Sequence, residues 1–193
     1  MEFKIVPATP HDAGFIADAV MTAIGRDICL KMAGDVDRLD LLREVFTRLG
    51  AMEDSQYSYL NSSIAFDPMG NRAGAVICYD GALLHRLRLA FIRVSNDLLG
   101  WNLSESDFTD ETSADEVYLD SLMVRPEYRR CGLGGLLIAE ASRKAKEAGK
   151  PLGLLVDYDN PDARRLYIAQ GFRSVGSRKF AGVDMEHLQI LQE

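Results

Sequence analysis

The chain has 193 residues, 47% of them apolar, with 22 Lys or Arg against 29 Asp or Glu and a formal charge of −7. That length suits one α/β domain spanning 1–193, or one domain with an insertion. The negative charge disfavours nucleic acid as a general partner, and no run approaches the ~20 apolar residues that cross a bilayer. Cys29, Cys78 and Cys131 are odd in number and lack ligand spacing, which argues against a disulfide framework and a zinc site. The opening MEFKIVPATP has neither a basic start nor an apolar signal core, so a cytoplasmic location is expected.

Phe3-Lys4-Ile5-Val6 alternates and predicts a first strand. Thr9 then reads as an N-cap with Pro10 in the first turn, and Phe15, Ile16, Ala19, Val20 and Ile24 make one helical stripe. His11 falls at that start and reads as a helix-start residue rather than a ligand. A second helix is expected over 35–49, with Val36, Leu39, Leu42, Val45, Phe46 and Leu49 inward. Residues 56–66 are strand-like, 67–71 form a turn, and 73–79 close a hairpin.

Residues 82–99 carry Leu83, Leu87, Ala90, Phe91, Val94 and Leu98 at helical spacing, alongside His85, Arg86, Arg88 and Arg93. A core-packed helix with a solvated basic face is favoured over one that touches a membrane or a partner. Residues 104–120 hold seven acids and no Lys or Arg. The acids could attract a cationic amine, but over 105–115 a solvated, mobile loop is the favoured reading.

Residues 116–124 alternate, so Glu116, Tyr118, Asp120, Leu122 and Val124 are expected on one strand face. The stretch that organises the chain, YLDSLMVRPEYRRCGLGGLL over 118–137, runs from this strand through a basic glycine loop into a helix. A helix N-terminus leaves backbone N–H groups free and carries partial positive charge. Gly132, Gly134 and Gly135 let a phosphate come close, and Arg129 and Arg130 add charge for it. A dinucleotide fingerprint would need a third glycine where Leu137 stands, and no G-x-x-x-x-G-K-[ST] loop occurs. Cys131 reads as a small residue tolerated in the loop, or as a thiol of lowered pKa.

After the helix, which Gly149 ends, come a buried-type strand over 152–156, a helix started by Asn160-Pro161 and stopped by Gly171, and a final hairpin. Two motifs stand out. Arg129-x-x-Gly132-x-Gly134 follows a strand directly, and Asn160-x-x-Ala163-x-x-Leu166-Tyr167-x-x-x-Gly171-Phe172 lies downstream. Together they resemble the coenzyme A loop and the N-x-x-A-x-x-x-Y…G-F segment of the GNAT superfamily of N-acetyltransferases. The resemblance covers roughly 116–177, the cofactor half.

The resemblance implies a mixed α/β fold with a central twisted sheet flanked by helices, in which 81–115 is an insertion between the third and fourth strands. It implies acetyl-CoA as cosubstrate, no metal, and direct transfer of an acetyl group to a primary amine in a ternary complex. In such enzymes backbone groups of the fourth strand, here Leu122, Met123 and Val124, hold the pantetheine like an added strand. The loop Arg129, Arg130, Cys131, Gly132, Leu133, Gly134 and Gly135 takes the phosphates, and Asn160 contacts the pantetheine arm. Tyr167 faces the sulfur as general acid, although its place before the helix stop also suits packing. Asp120 is preferred over Glu116 as base, with solvent as a third option. The acceptor is a small-molecule or peptide amine, nucleic acid and membrane are not expected partners, and a homodimer is left open. A non-catalytic acyl-CoA-binding or regulatory module is the rival function.

Overall fold

The computed structural model describes residues 2–190. Its strands are β1 (Lys4–Pro7), β2 (Ser62–Phe66), β3 (Arg72–Asp80), β4 (Val117–Val124), β5 (Leu152–Asp157), β6 (Arg173–Phe180) and β7 (Val183–Ile190). They form one mixed sheet in the order β1-β2-β3-β4-β5-β7-β6. Within it β4 and β5 run parallel. A parallel pair needs a crossover, and the helix α5 (Leu133–Glu147) supplies it.

The helices split between the two faces. Leu133, Leu137, Ile138 and Ala141 of α5 pack on Val76, Val117, Leu119 and Leu154. Tyr167 of α6 (Pro161–Ala169) joins that layer. On the other face α1 (Ala13–Ile24), α3 (Leu39–Ala51) and α4 (Leu84–Leu99) cover Ile64, Ala75, Ile77 and Met123. Ile16, Leu42, Phe46 and Leu49 are fully buried there, each contributing about 1.5–3 kcal/mol.

Thr9 caps the first turn as expected: its N–H and hydroxyl both donate to Asp12. A helix absent from the sequence reading, α2 (Arg26–Ala33), follows α1 at Gly25, whose φ is 83°. Its Ile28, Cys29, Leu30 and Met32 form no single stripe, so periodicity gives no signal. The expected helix over 35–49 begins later, at Leu39, after a 3-10 turn, and Val36 lies exposed. Residues 56–61 are turns rather than strand, because the Asn61 amide gathers the carbonyls of Ser55 and Gln56 into a bend.

Two further expectations are corrected. The basic face of α4 is not wholly solvated, since Arg88 is among the most deeply buried side chains. The acidic segment before β4 is folded rather than loose: Arg88 Nη2 donates to Glu111 at 2.6 Å, Arg88 Nη1 donates to Asp110 at 3.0 Å, and Asp107 accepts from Ser104 N–H. A buried guanidinium is tolerable only with such partners, and Arg88 also lies over the Phe108 ring. Among the described residues no helix is long and apolar enough to cross a membrane, and no group of three or more His, Cys, Asp or Glu could hold a metal ion.

Candidate active site

The site starts from a fault in β4. Ile77 pairs with Ser121 and Cys78 with Leu119, which leaves Asp120 as the unpaired residue of a β-bulge. A bulge bends its strand and reverses which side chains face which layer. Tyr118 therefore packs with Leu84 and Leu87 on one face, while Leu122 and Val124 pack in the α5 layer on the other. This corrects the single shared face expected from alternation.

The bend also opens a cleft. β4 and β5 pair only at Val117–Leu152 and Tyr118–Gly153, then separate. Beyond that point β4 keeps its partners on β3 and turns its other edge to the gap. A cavity of about 440 Å³ fills the space, lined by Leu119, Asp120 and Leu122 from β4, Leu155 and Val156 from β5, and Asn160 and Tyr167 from α6 and its cap. The corner between α1 and α2, at Ile24, Gly25 and Ile28, closes one side. Of the three expected pantetheine-holding residues, Leu122 lines the cavity, whereas the Met123 side chain is buried in the opposite core. Val124 packs against the α5 layer. What Met123 and Val124 can offer a ligand is backbone.

Asp120 lines this cavity with one hydrogen bond, from Ser121 Oγ at 2.8 Å. Burial pushes its carboxyl up to about 7, helped by the nearby charge of Glu111 and only partly opposed by Ser121. Tyr57, Tyr79 and Tyr118 stay protonated around it, raised first by burial and then by the charges of Asp120 and Glu111. Tyr167 is buried on the same cavity, edge-on to Phe172, and burial raises its hydroxyl to about 12. Asn160 Oδ1 accepts from Ala163 N–H as the N-cap of α6, which leaves the amide NH2 for the cavity.

Glu116 lies elsewhere. It precedes β4, is fully buried and does not line the cavity. Thr112 Oγ1 donates to it at 2.7 Å, Ser113 N–H at 3.2 Å, His187 Nε2 at 2.9 Å and Gln189 Nε2 at 2.7 Å. Burial alone would raise its pKa, but the hydrogen bonds from His187, Gln189 and Thr112 win and lower it to about 2. A carboxylate with its lone pairs so engaged has no room to take a proton from a substrate. A Cβ on Gly153 would run into this carboxylate, which explains the glycine inside β5.

The loop after β4 arrives at the helix start as the motif requires. Leu136 N–H to Gly132 O is the first hydrogen bond of α5, so the N–H groups before it have no helical acceptor. Gly132 has φ of 80° with open space around it, and Arg130 is also left-handed at 60°. Arg129 and Arg130 are exposed, with Arg129 Nε donating to Val124 O at 3.2 Å. Cys131 is exposed and Leu133 is buried in the core. Gly134 and Gly135 have a packing role as well: a Cβ on them would press on Leu166 of α6 and on Gln170, which caps that helix.

A reading of the sequence misses the cleft, the α1–α2 corner and a second chamber beside it. Ile24, Ile28 and Phe180 line both spaces. Among these residues the local signal is confined to Gly25, an isolated glycine that ends an apolar stripe, since long-range packing assembles the rest.

A bulged strand, splayed from a parallel neighbour above an anion-ready helix start, makes a cleft open to an extended, phosphorylated ligand. A family model described as acetyltransferase (GNAT) family matches residues 52–172, and the chain belongs to that family. It is an N-acetyltransferase. The family generally uses acetyl-CoA as cosubstrate. A solved acetyltransferase structure is 29% identical with a TM-score of 0.76, covering 98% of this chain and 100% of its own. An N-acetyltransferase from Staphylococcus aureus Mu50 shares the fold at 20% identity and a TM-score of 0.74, covering 97% of this chain and 100% of its own. A structure described as histone acetyltransferase HPA2 and related acetyltransferase, from Corynebacterium glutamicum, shares it at 18% identity and a TM-score of 0.69, covering 100% and 98%. A comparison with curated proteins gives no match.

Proposed function

We propose that the protein transfers the acetyl group of acetyl-CoA directly to a primary amine of a small molecule or peptide, with Asp120 as base and Tyr167 as acid. The observation that carries this reading is that Asp120, at the bulge, and Tyr167, on α6, line one cavity at the splay of β4 and β5. The cosubstrate fits the residues present. The free N–H groups before Leu136 and the open approach at Gly132 suit phosphate. The unpaired edge of β4 at Leu122, Met123 and Val124 suits an extended amide chain.

When bound, acetyl-CoA supplies the thioester carbon that the amine attacks. An alkyl amine has a pKa of ~10.4 in water and arrives charged. Asp120, poised at about 7, takes its proton, and burial of the ammonium beside it narrows the remaining gap. Glu116 is not used, because its oxygens are saturated away from the cavity. Tyr167 keeps its proton at neutral pH and donates a hydrogen bond towards the thioester sulfur. Its high pKa means the proton moves only as negative charge develops on that sulfur.

Thiol release from acetyl-CoA over a panel of primary amines tests this reading, run beside calorimetry of acetyl-CoA binding. Amine-dependent thiol release is expected from the wild type. Asp120→Asn should bind acetyl-CoA normally and lose about 10²-fold or more in kcat. An Asp120→Asn enzyme with wild-type kcat would remove Asp120 from the chemistry.

A further inference from the structure

The second chamber has a volume of about 410 Å³ and mainly apolar walls, one of them a cluster of aromatic rings. Phe46, Tyr57, Phe91, Trp101 and Phe108 meet edge-to-face or stacked, with ring centroids 5.1 to 6.4 Å apart. The residues between β3 and β4 build much of this wall: Arg88 and Phe91 come from α4, and Trp101, Leu103 and Phe108 from the segment after it. The β6–β7 turn, at Phe180, Ala181 and Gly182, closes the opposite side. Aromatic rings arranged this way favour a flat apolar guest, and the volume falls within the range of small-molecule sites.

Most of the charges around the chamber are already matched. Arg88 is held by Asp110 and Glu111 and Lys179 pairs with Asp184 at 3.1 Å, whereas Asp107, exposed at the rim, accepts only from the neutral Ser104. Gln56 Nε2 donates to Glu111 at 2.9 Å and takes up a further lone pair. Of the two carboxylates that line this space, Glu111 is committed and Asp107 lies exposed, so away from that exposed rim an ammonium group would find no counter-charge, and an unpaired buried charge is heavily penalised. The adjoining cavity, reached past Ile24, Ile28 and Phe180, presents Asp120 to an ammonium group, with Asp157 and Asp159 also on its lining.

The geometry points to this chamber as the acceptor site, and to an acceptor that carries its primary amine on an aromatic or similarly apolar body. The ring system sits among Tyr57, Phe91, Trp101 and Phe108, and a short linker brings the amine to Asp120. The inference rests on the transferase reading above and adds the acceptor class to it.

Trp101 is the single tryptophan of the chain, so its fluorescence reports occupancy without any turnover. The probes are 2-phenylethylamine and spermidine, each with the wild-type enzyme and acetyl-CoA. Saturable change of Trp101 emission by 2-phenylethylamine is expected, with no such change by spermidine. The kcat/KM for 2-phenylethylamine should exceed that for spermidine by about tenfold or more. Trp101→Ala should raise the KM for 2-phenylethylamine about tenfold while leaving acetyl-CoA affinity unchanged. Equal or better use of spermidine overturns the inference but leaves the transferase reading standing. So does failure of both probes while acetyl-CoA binds and another amine releases thiol. Turnover of 2-phenylethylamine with unchanged Trp101 emission overturns it too. Absence of acetyl-CoA binding to the wild type overturns the transferase reading, and the inference with it.

Discussion

At the scale of single residues, two carboxylates four positions apart have opposite environments and therefore opposite chemistry. Asp120 has one hydroxyl donor and a half-buried, desolvated carboxyl, so its folded pKa of about 7 lies above the ordinary value of 3.8. Its contribution to stability is therefore fully present below 3.8 and is lost as pH rises through about 7. Asp120→Asn should flatten that dependence, so the variant gains in Tm relative to wild type at about pH 8.5 more than at about pH 5. A wild-type kcat/KM profile should rise with an apparent pKa near 7, and Asp120→Asn should lose that limb. Melting curves and rates at the two pH values check both. Tyr167→Phe keeps the ring against Phe172, so stability should change little while kcat falls by about 10² to 10⁴-fold. A thioester with a better leaving thiol should recover part of that loss, and wild-type turnover with chemistry rate-limiting would reduce Tyr167 to packing.

Among elements, Glu116 acts as a staple rather than a base. It joins the end of the segment before β4, through Thr112 and Ser113, to β7, through His187 and Gln189, and it lies against Gly153 of β5. Removing it strands several buried donors at once. Glu116→Ala should therefore destabilise the fold by about 3–5 kcal/mol, the scale for breaking a buried charged network. Denaturant unfolding measures this, and a loss under about 1 kcal/mol would contradict the staple. Because its folded pKa is depressed from 4.5 to about 2, its stabilisation is present above 4.5 and lost as pH falls through about 2. The same element logic explains why β4 bends. The bulge at Asp120 frees the strand from β5, and the crossover α5 begins at the loop that the motif marks.

Across the whole molecule, charge is unevenly placed. The net is −7, yet residues 125–150 carry seven Lys or Arg against three acids, a local net of +4. The anionic cosubstrate should thus be attracted to one end, by charges that are mostly exposed and so screened by salt. Acetyl-CoA affinity should fall as salt rises from about 50 to 500 mM. Arg129→Glu with Arg130→Glu should weaken binding by about 10-fold or more and flatten the salt response. Calorimetry at the two salt concentrations checks this, and salt-independent affinity would remove the loop arginines from phosphate binding.

The elements that depend on near neighbours are legible from the chain alone. They include the strand, glycine loop and helix over 118–137, the caps at Thr9 and Asn160, and the helical stripe of Phe15, Ile16, Ala19 and Val20. Turns, caps and periodicity are local, so the residue order records them. Other features exist only once the chain has folded. The bulge at Asp120 breaks the alternation of β4 through its pairing with Ile77 and Cys78, far away in sequence, and it sets Asp120 in the cleft while Glu116 is locked between β4 and β7. The burial of Arg88 depends on Asp110 and Glu111, and the aromatic chamber on rings brought together from distant parts of the chain. Pairing and desolvation act between residues far apart in sequence, so composition and spacing carry no sign of them.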